Sequence, residues 1–170
     1  MSGGEQTCIL VLGVGNILLR DEGVGVRVVE ALQSRFEFSP HVELVDGGTL
    51  GLRLLEPVQR ATSLIVVDAI RNGGPPGTIY RLSTQELRGS VRAKDSLHQL
   101  DLLDTLGYAE LLGNIPETVV LGIEPEDISP WGTELTETVR SRLEDLIRMV
   151  LDEIELRTQE ARTEREQEHS

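Results

Sequence analysis

The chain has 170 residues and a formal net charge of −13, with 39% hydrophobic, 26% charged and only 3% aromatic residues. These values are typical of one soluble globular domain with an aliphatic core, and they exclude collagen-like, disordered and disulfide-rich chains. The acidic balance also argues against unaided binding to nucleic acid or to an anionic membrane, because basic patches supply that affinity.

The lone cysteine and the N-terminal segment bear on cellular location. Cys8 has no cysteine partner for an internal disulfide or a Cys-x-x-Cys site, and we expect it to be inert core. The first residues lack the basic leader of a secretory signal. The apolar stretch 8–19 is too short, and too interrupted by glycine, to span a membrane. We therefore expect a cytoplasmic protein without membrane insertion.

The first half of the chain alternates between strand and helix patterns. Residues 8–12 predict a strand buried on both faces, and a helical period follows over residues 21–36. Residues 42–45 predict a second strand. A short helix comes next, for which Thr49 is the predicted cap and Pro57 the predicted limit.

The second half of the chain continues this alternation with short connections. Its predicted strands are 63–67, 78–82 and 118–123, and its predicted helices are 96–106 and 133–156. This order predicts an α/β fold, a single three-layer domain with a twisted, mainly parallel sheet of about five strands between helices. The domain is predicted to span residues 1–156. The charged tail 157–170 is predicted to be disordered or a frayed helix end.

Acidic side chains follow four of the predicted strands. They are Glu22, Asp46, Asp68 and Glu124, after the first, second, third and last strands. Ligands bind outside the carboxyl ends of the strands in open α/β sheets, so these residues are candidates for one site. Taken singly, each is equally well explained as a turn or cap residue.

A histidine adds a second type of ligand to this set. His98 lies at the start of a predicted helix, where alone it is most simply a surface or cap residue. A glutamate, an aspartate and this histidine, from three separate segments, make an oxygen and nitrogen set suited to nickel or zinc, and the histidine could also act as a general acid–base group. No His-Glu-x-x-His is present, which excludes a zinc peptidase site of that kind. His41 and His169 are expected to be solvated.

The glycines after the first strand allow a nucleotide-binding alternative. Gly13-Val-Gly-Asn-Ile-Leu begins like a dinucleotide fingerprint, but Leu18 stands where the third glycine belongs. Asp21 and Glu22 would also repel a phosphate at that helix N-terminus. We therefore favour the interpretation that the glycines let the backbone turn tightly and bring Glu22 to the sheet edge.

Five sequence blocks occur in a characteristic order. They are Gly13-Val-Gly-Asn-Ile-Leu-Leu-Arg-Asp-Glu-Gly-Val-Gly-Val, Asp46-Gly-Gly-Thr-Leu-Gly, Val67-Asp-Ala, His98-Gln and Leu121-Gly-Ile-Glu-Pro-Glu. Together they resemble the hydrogenase maturation endopeptidases, which process the large subunit of [NiFe] hydrogenases. The resemblance extends over about residues 7–150 and leaves out the tail.

The resemblance implies a nickel-dependent endopeptidase. Members of this family remove a C-terminal extension from the large-subunit precursor after nickel insertion, so that precursor is the expected partner of this chain, which we expect to be a monomer. Carried over by position, the nickel-recognising ligands are Glu22, Asp68 and His98. Asp46 matches a position linked to recognition or cleavage, and Asp46 and Asp68 are the catalytic candidates. We expect the substrate to present the nickel, rather than the free enzyme to hold it.

Two hypotheses remain for the group that takes a proton from the attacking water, and two remain for the function. Asp46 or a metal-ligating carboxylate would activate the attacking water, and N–H groups of the glycine-rich turns are candidates to bind the oxyanion. The alternative function is a non-catalytic metal-checkpoint or chaperone module that binds the nickel-loaded precursor through the same ligands.

Overall fold

A computed structural model describes residues 8–48, 52–89 and 97–170, with side chains from residue 102 onward in the last range. The described residues form five strands: β1 Ile9–Val14, β2 Val42–Gly48, β3 Ser63–Ala69, β4 Ile79–Ser83 and β5 Glu117–Ile123. They make one sheet in the order β2–β1–β3–β5–β4. All neighbours are parallel except β4, which pairs antiparallel with β5 at the edge. The predicted mainly parallel five-stranded sheet is confirmed.

Helices flank this sheet on both faces. Those in the described residues are α1 Val24–Arg35, α2 Leu55–Arg60, α3 Thr84–Gly89, α4 Leu97–Leu111, α5 Glu137–Arg140 and α6 Leu143–Glu168. Short 3-10 turns, Arg20–Gly23 and Leu52–Leu54, lead into α1 and α2. No helix in this described set is long and apolar enough to cross a membrane.

The pleat of the central strands divides the core into two aliphatic clusters. Val11 and Val67 pack with α1 and α6 on one face, whereas Leu12 and Val66 pack with α2 and α4 on the other. Strand β1 is buried along its whole length. Burial on both faces explains why residues 8–12 form a continuous apolar run instead of an alternating one.

The region predicted as one helix over residues 133–156 is divided and shifted in the structure. Helix α5 begins at Glu137 because Thr136 is held in an extended conformation and its side chain accepts a hydrogen bond from the Val139 N–H. A break at Ser141 and Arg142 separates α5 from α6. The predicted start of the helix, residue 133, was wrong. The spacing of apolar residues does not show where a helix cap lies when a residue far away in the chain fixes that cap.

Helix α6 runs on to Glu168, so residues 157–168 are helical where a disordered or frayed tail was predicted. Arg157 is only 6% exposed and forms ion pairs with Glu117 at the start of β5 and with Glu160. Its guanidinium also lies 3.6 Å from the Glu153 carboxylate. The buried ion pairs of Arg157 could not be predicted from the composition of the tail, because an arginine in a charged segment is usually solvent-exposed.

The short helix after β2 also differs from its prediction. Thr49, the predicted cap, lies outside the described residues. Pro57 is the third residue of α2, and a proline in the first turn removes an N–H that has no intrahelical partner. Pro57 therefore belongs to the start of the helix and does not limit it.

Close backbone contact fixes the start of α1 against the sheet. A Cβ atom on Gly25 would lie 2.1 Å from the Val67 carbonyl oxygen and 2.4 Å from that of Val14. A Cβ on Gly13 would lie 2.4 Å from the Gly25 oxygen, and Gly15 has a φ of +129°. Side chains do not fit at these distances, so the glycines allow the turn Arg20–Gly23 to sit at the carboxyl ends of β1 and β3.

Replacing Gly25 with alanine is expected to lower the free energy of unfolding by about 1–3 kcal/mol, because the new methyl group forces α1 away from β3. The control is Gly107→Ala in α4, where a Cβ meets nothing within 4 Å. That variant is expected to gain about 0.5–1 kcal/mol from helix propensity. Urea unfolding measures both changes, and equal stability of the two variants would contradict the close approach at Gly25.

Candidate functional site

The carboxyl edge of the sheet brings Glu22 and Asp68 together. Asp68 lies near the end of β3, and only 3% of its surface is exposed. The turn Arg20–Gly23 contacts β3, and the charge of Glu22 acts on the Asp68 carboxyl. Two of the three predicted metal ligands are therefore electrostatic neighbours, although different elements supply them.

Burial is the main influence on the ionisation of Asp68. It raises the pKa of the Asp68 carboxyl well above the ordinary value for aspartate. A backbone hydrogen bond at Ala69 lowers this pKa, and the nearby carboxylate of Glu22 raises it further. A carboxyl in this environment is stabilised by taking up a proton or by contact with a cation. The pair is therefore suited to recognising a positively charged centre.

Asp46 lies at the same edge of the sheet but apart from this pair. It is exposed on β2, and its Oδ1 accepts a hydrogen bond from the Gly48 N–H at 2.9 Å. It pairs in register with Gly13, and Gly13 pairs with Val67, so β1 separates Asp46 from β3. Two strand spacings correspond to about 10 Å. The structure does not join Asp46 to Glu22 and Asp68.

The third predicted ligand, His98, belongs to the first turn of α4, and its side chain lies outside the described atoms. The helix ends near the amino edge of the sheet, where the Asn114 side chain donates to the Ala61 carbonyl at 3.2 Å. Its 15 residues span about 22 Å, comparable to the length of β3. The first turn of α4 thus extends toward the carboxyl edge.

Among the described side chains, no group of three or more His, Cys, Asp and Glu residues could hold a metal ion. Glu22 and Asp68 supply two carboxylates, which suit a borderline divalent metal when a nitrogen ligand accompanies them. Two carboxylates alone do not complete such a site.

Asp21, adjacent to Glu22, has a different role that the sequence did not reveal. It is fully buried, and its carboxylate accepts hydrogen bonds from the N–H groups of Glu126, Asp127 and Thr136 at 2.8–3.0 Å. The Thr136 hydroxyl donates to it as well. Asp21 therefore fastens the loop after β5, and the cap of α5, to the turn that carries Glu22.

Glu124 is a second carboxylate engaged by backbone donors. It is buried after β5 and accepts hydrogen bonds from the N–H groups of Asn72 and Gly73 and from the Tyr80 hydroxyl. These contacts hold the loop that follows β3. Glu124, which the sequence grouped with the site acids, is thus a loop anchor, and its carboxylate raises the pKa of Tyr80 in addition to the effect of burial.

Four N–H groups in the described parts of the glycine-rich turns already have acceptors within the chain. The N–H of Gly15 donates to the Gly48 carbonyl, and that of Gly48 donates to Asp46. The N–H groups of Gly73 and Gly74 donate to Glu124 and Tyr80. The predicted use of these particular N–H groups is therefore not supported, since each already has an internal acceptor.

Comparisons with known proteins bear on the family and the fold of this chain. A family model described as HycI, hydrogenase maturation protease, matches residues 26–153. Hydrogenase expression/formation protein HoxM of Cupriavidus necator is 42% identical over 141 residues, covering 82% of this chain and 70% of HoxM. Hydrogenase 2 maturation protease of Escherichia coli is 43% identical over 145 residues, covering 84% and 88% of the two chains. The structure of the hydrogenase maturating endopeptidase HybD from E. coli matches with a TM-score of 0.80 and 37% identity, over 88% of this chain and 93% of HybD.

The burial of Asp68 predicts a pH-dependent gain in stability for Asp68→Asn in metal-free buffer. Because the pKa is raised in the folded state, ionisation of Asp68 opposes folding, and this cost grows as the pH rises from the unfolded value through the folded one. The variant is therefore expected to be more stable than the natural chain at about pH 8, by about 1.4 kcal/mol per unit of pKa displacement.

Urea unfolding at about pH 5.5 and about pH 8 tests this expectation. The gain from Asp68→Asn is expected to shrink at the lower pH, where the natural carboxyl is more fully protonated in the folded state. Asp46→Asn is the control, because it neutralises an exposed carboxyl at the same sheet edge. A gain that increases at the lower pH would show that Asp68 is stabilised as an anion.

Proposed function

This chain belongs to the hydrogenase maturation protease family, and we propose that it removes the C-terminal extension from the large-subunit precursor of a [NiFe] hydrogenase after nickel insertion. In this proposal, nickel held by the precursor is the recognition element. The observation that carries it is the buried Asp68 carboxyl beside Glu22 at the carboxyl edge of the sheet. A protease in a maturation pathway needs such a recognition site to act only on assembled precursor.

Nickel recognition is the first step of the proposal. Burial, together with the negative charge of Glu22, makes ionisation of Asp68 unfavourable. A metal cation close to both carboxylates would offset this cost. His98 supplies the nitrogen ligand in this scheme. It precedes the buried Leu102 by four residues, one helical turn, in the helix that packs on the same sheet face as Val66. Asp68 follows Val66 by two residues and shares its face.

Peptide cleavage is the second step of the proposal. Nickel bound in the precursor fixes the scissile peptide beside Asp68, so that orientation supplies much of the rate acceleration. A water molecule attacks the scissile carbonyl carbon and gives a proton to a carboxylate of the Glu22 and Asp68 pair. The same carboxyl passes the proton to the amide nitrogen as the C–N bond breaks, which leaves a carboxyl group on the precursor and releases the extension with a new amino terminus.

Asp46 is assigned a different part in this scheme. Its exposed position on the edge strand, with β1 between it and β3, favours a contact with the precursor chain over activation of water beside Asp68. The second function class, a checkpoint module that binds loaded precursor without cutting it, uses the same ligands. It differs in leaving the mass of the precursor unchanged.

A processing assay tests the ligand set. Purified protein is mixed with nickel-loaded precursor and intact mass is followed, with nickel-free precursor in parallel. The natural chain is expected to release one C-terminal peptide from loaded precursor only. Glu22→Gln, Asp68→Asn and His98→Ala are each expected to slow release by about 10²–10⁴-fold. Glu30→Gln and His41→Ala, on exposed and half-buried residues away from this edge, are the matched controls.

Binding of competent precursor without any mass change would overturn the protease proposal in favour of the checkpoint module. Equal processing of loaded and nickel-free precursor would overturn nickel recognition while leaving the protease activity standing. Normal activity of the Glu22→Gln and Asp68→Asn variants would show that Glu22 and Asp68 do not form the site.

Steady-state kinetics can distinguish the two roles considered for Asp46, a contact with the precursor and a base that activates water. A precursor contact predicts that Asp46→Asn raises KM with kcat nearly unchanged, because ground state and transition state lose the same interaction. A water-activating base predicts a fall in kcat of about 10²–10⁴-fold. Measuring both constants against Asp68→Asn decides between them, and a kcat loss equal to that of Asp68→Asn would contradict the proposed assignment.

A further inference from the structure

Two large apolar side chains are exposed beside the candidate site. Trp131, the chain's single tryptophan, is 89% exposed, and Leu18 is 47% exposed. Leu18 precedes the turn that carries Glu22, and Trp131 lies in the loop between β5 and α5. Exposed tryptophan is uncommon, and at interfaces tryptophan is enriched among the residues that carry most of the binding energy.

Backbone hydrogen bonds set these two residues side by side. The N–H groups of Trp131 and Gly132 donate to the Leu18 carbonyl at 3.1 and 3.2 Å. The Arg20 N–H donates to the Gly132 carbonyl at 2.8 Å, and Leu19 and Gly132 form an isolated bridge. The two segments thus run together as a short ladder, with Leu18 and Trp131 at its exposed end.

Trp131 is held there in an unfavourable conformation. Its φ is +71°, in the left-handed region that a bulky residue rarely occupies. Such strain persists only where surrounding contacts fix the backbone. Here the fixing contacts are the Leu18 ladder, the Asp21 carboxylate and the ion pair of Arg20 with Asp127 at 2.8 Å. The exposed tryptophan is therefore presented by a rigid loop.

The same contacts connect this loop to the metal-recognition site. Asp21, which holds the loop, directly precedes Glu22, and the Glu22 N–H donates to the Leu19 carbonyl at 3.1 Å. Leu18 and Trp131 are therefore exposed next to the turn that carries Glu22. Carboxylates of Glu126 and Glu134 are exposed on the same loop.

We propose that Leu18 and Trp131 form a docking surface for the hydrogenase large-subunit precursor, contacting an apolar side chain flanked by lysine or arginine. This inference rests on the proposed function. The apolar part follows from the two exposed side chains, and the basic flanks follow from Glu126, Glu134 and the net charge of −13. Docking at this surface orients the precursor before its nickel reaches Glu22.

Kinetics of precursor processing give the first test. Trp131→Ala is expected to raise KM at least about 10-fold with kcat within about twofold, because the contact is made equally in the ground state and the transition state. Trp131→Phe is expected to recover most of the loss. Leu111→Ala is the control, since Leu111 is an exposed apolar residue at the end of α4, near the amino edge.

The contribution of Glu126 and Glu134 can be measured separately. The double variant Glu126→Gln and Glu134→Gln is expected to slow association and to flatten the dependence of KM on salt. Thermal unfolding of every variant checks the fold, and Trp131→Ala is expected to leave the midpoint unchanged because the side chain makes little buried contact.

Fluorine NMR gives a direct binding test that needs no cleavage. Protein labelled with 5-fluorotryptophan yields a single resonance, because the chain has one tryptophan. Nickel-free precursor, which the proposed function leaves uncut, is expected to shift or broaden this resonance. Leu18→Ala keeps the label and is expected to weaken the measured affinity about 10-fold.

The outcomes separate the two proposals. An unchanged KM for Trp131→Ala with normal processing by the natural chain overturns the docking surface and leaves the protease proposal standing. Binding that Leu18→Ala weakens, without processing of loaded precursor, supports the docking surface and overturns the protease proposal. Absence of both binding and processing overturns both.

Discussion

The rest of the site depends on one close approach, that of the Gly25 backbone to the Val67 carbonyl. Because no Cβ intervenes, α1 starts directly against β3, and the turn before it rests on the edge where β3 ends. Glu22 thereby comes within electrostatic range of Asp68. The neighbouring Asp21 reaches the loop after β5 from the same turn. A single steric requirement thus places both the acidic pair and the loop that flanks it.

The acidic residues at this edge of the sheet are of two kinds, which differ in how many hydrogen-bond donors contact the carboxylate. Asp21 and Glu124 are satisfied by backbone N–H groups, so each fastens a loop to the sheet. For Asp68, burial outweighs a single backbone bond, and the charge of Glu22 adds to the effect of burial. The same chemical group anchors a loop in one place and has a raised pKa in another because the number of hydrogen bonds that it accepts differs.

The sequence predicted the sheet and the proximity of Glu22 and Asp68, but it did not predict the carboxylates that hold the loops. Continuous apolar runs and strand-end acids depend on local pattern, so β1, β3, Glu22 and Asp68 could be predicted. Asp21 could not be distinguished from Glu22, because the difference lies in donors more than a hundred residues away in the chain. The burial of Arg157 likewise depends on Glu117 of another element. Long-range partners of this kind leave no trace in local periodicity.

The anchoring of both loops by carboxylates has a consequence for how metal and folding are coupled. Asp21 and Glu124 hold the loops at this edge of the sheet through hydrogen bonds with donors of the same chain. In small zinc-dependent domains the ion supplies the folding free energy, and chelators unfold the protein. Here a chelator is expected to leave the thermal unfolding midpoint unchanged, since the carboxylates that hold these loops are not the proposed ion ligands.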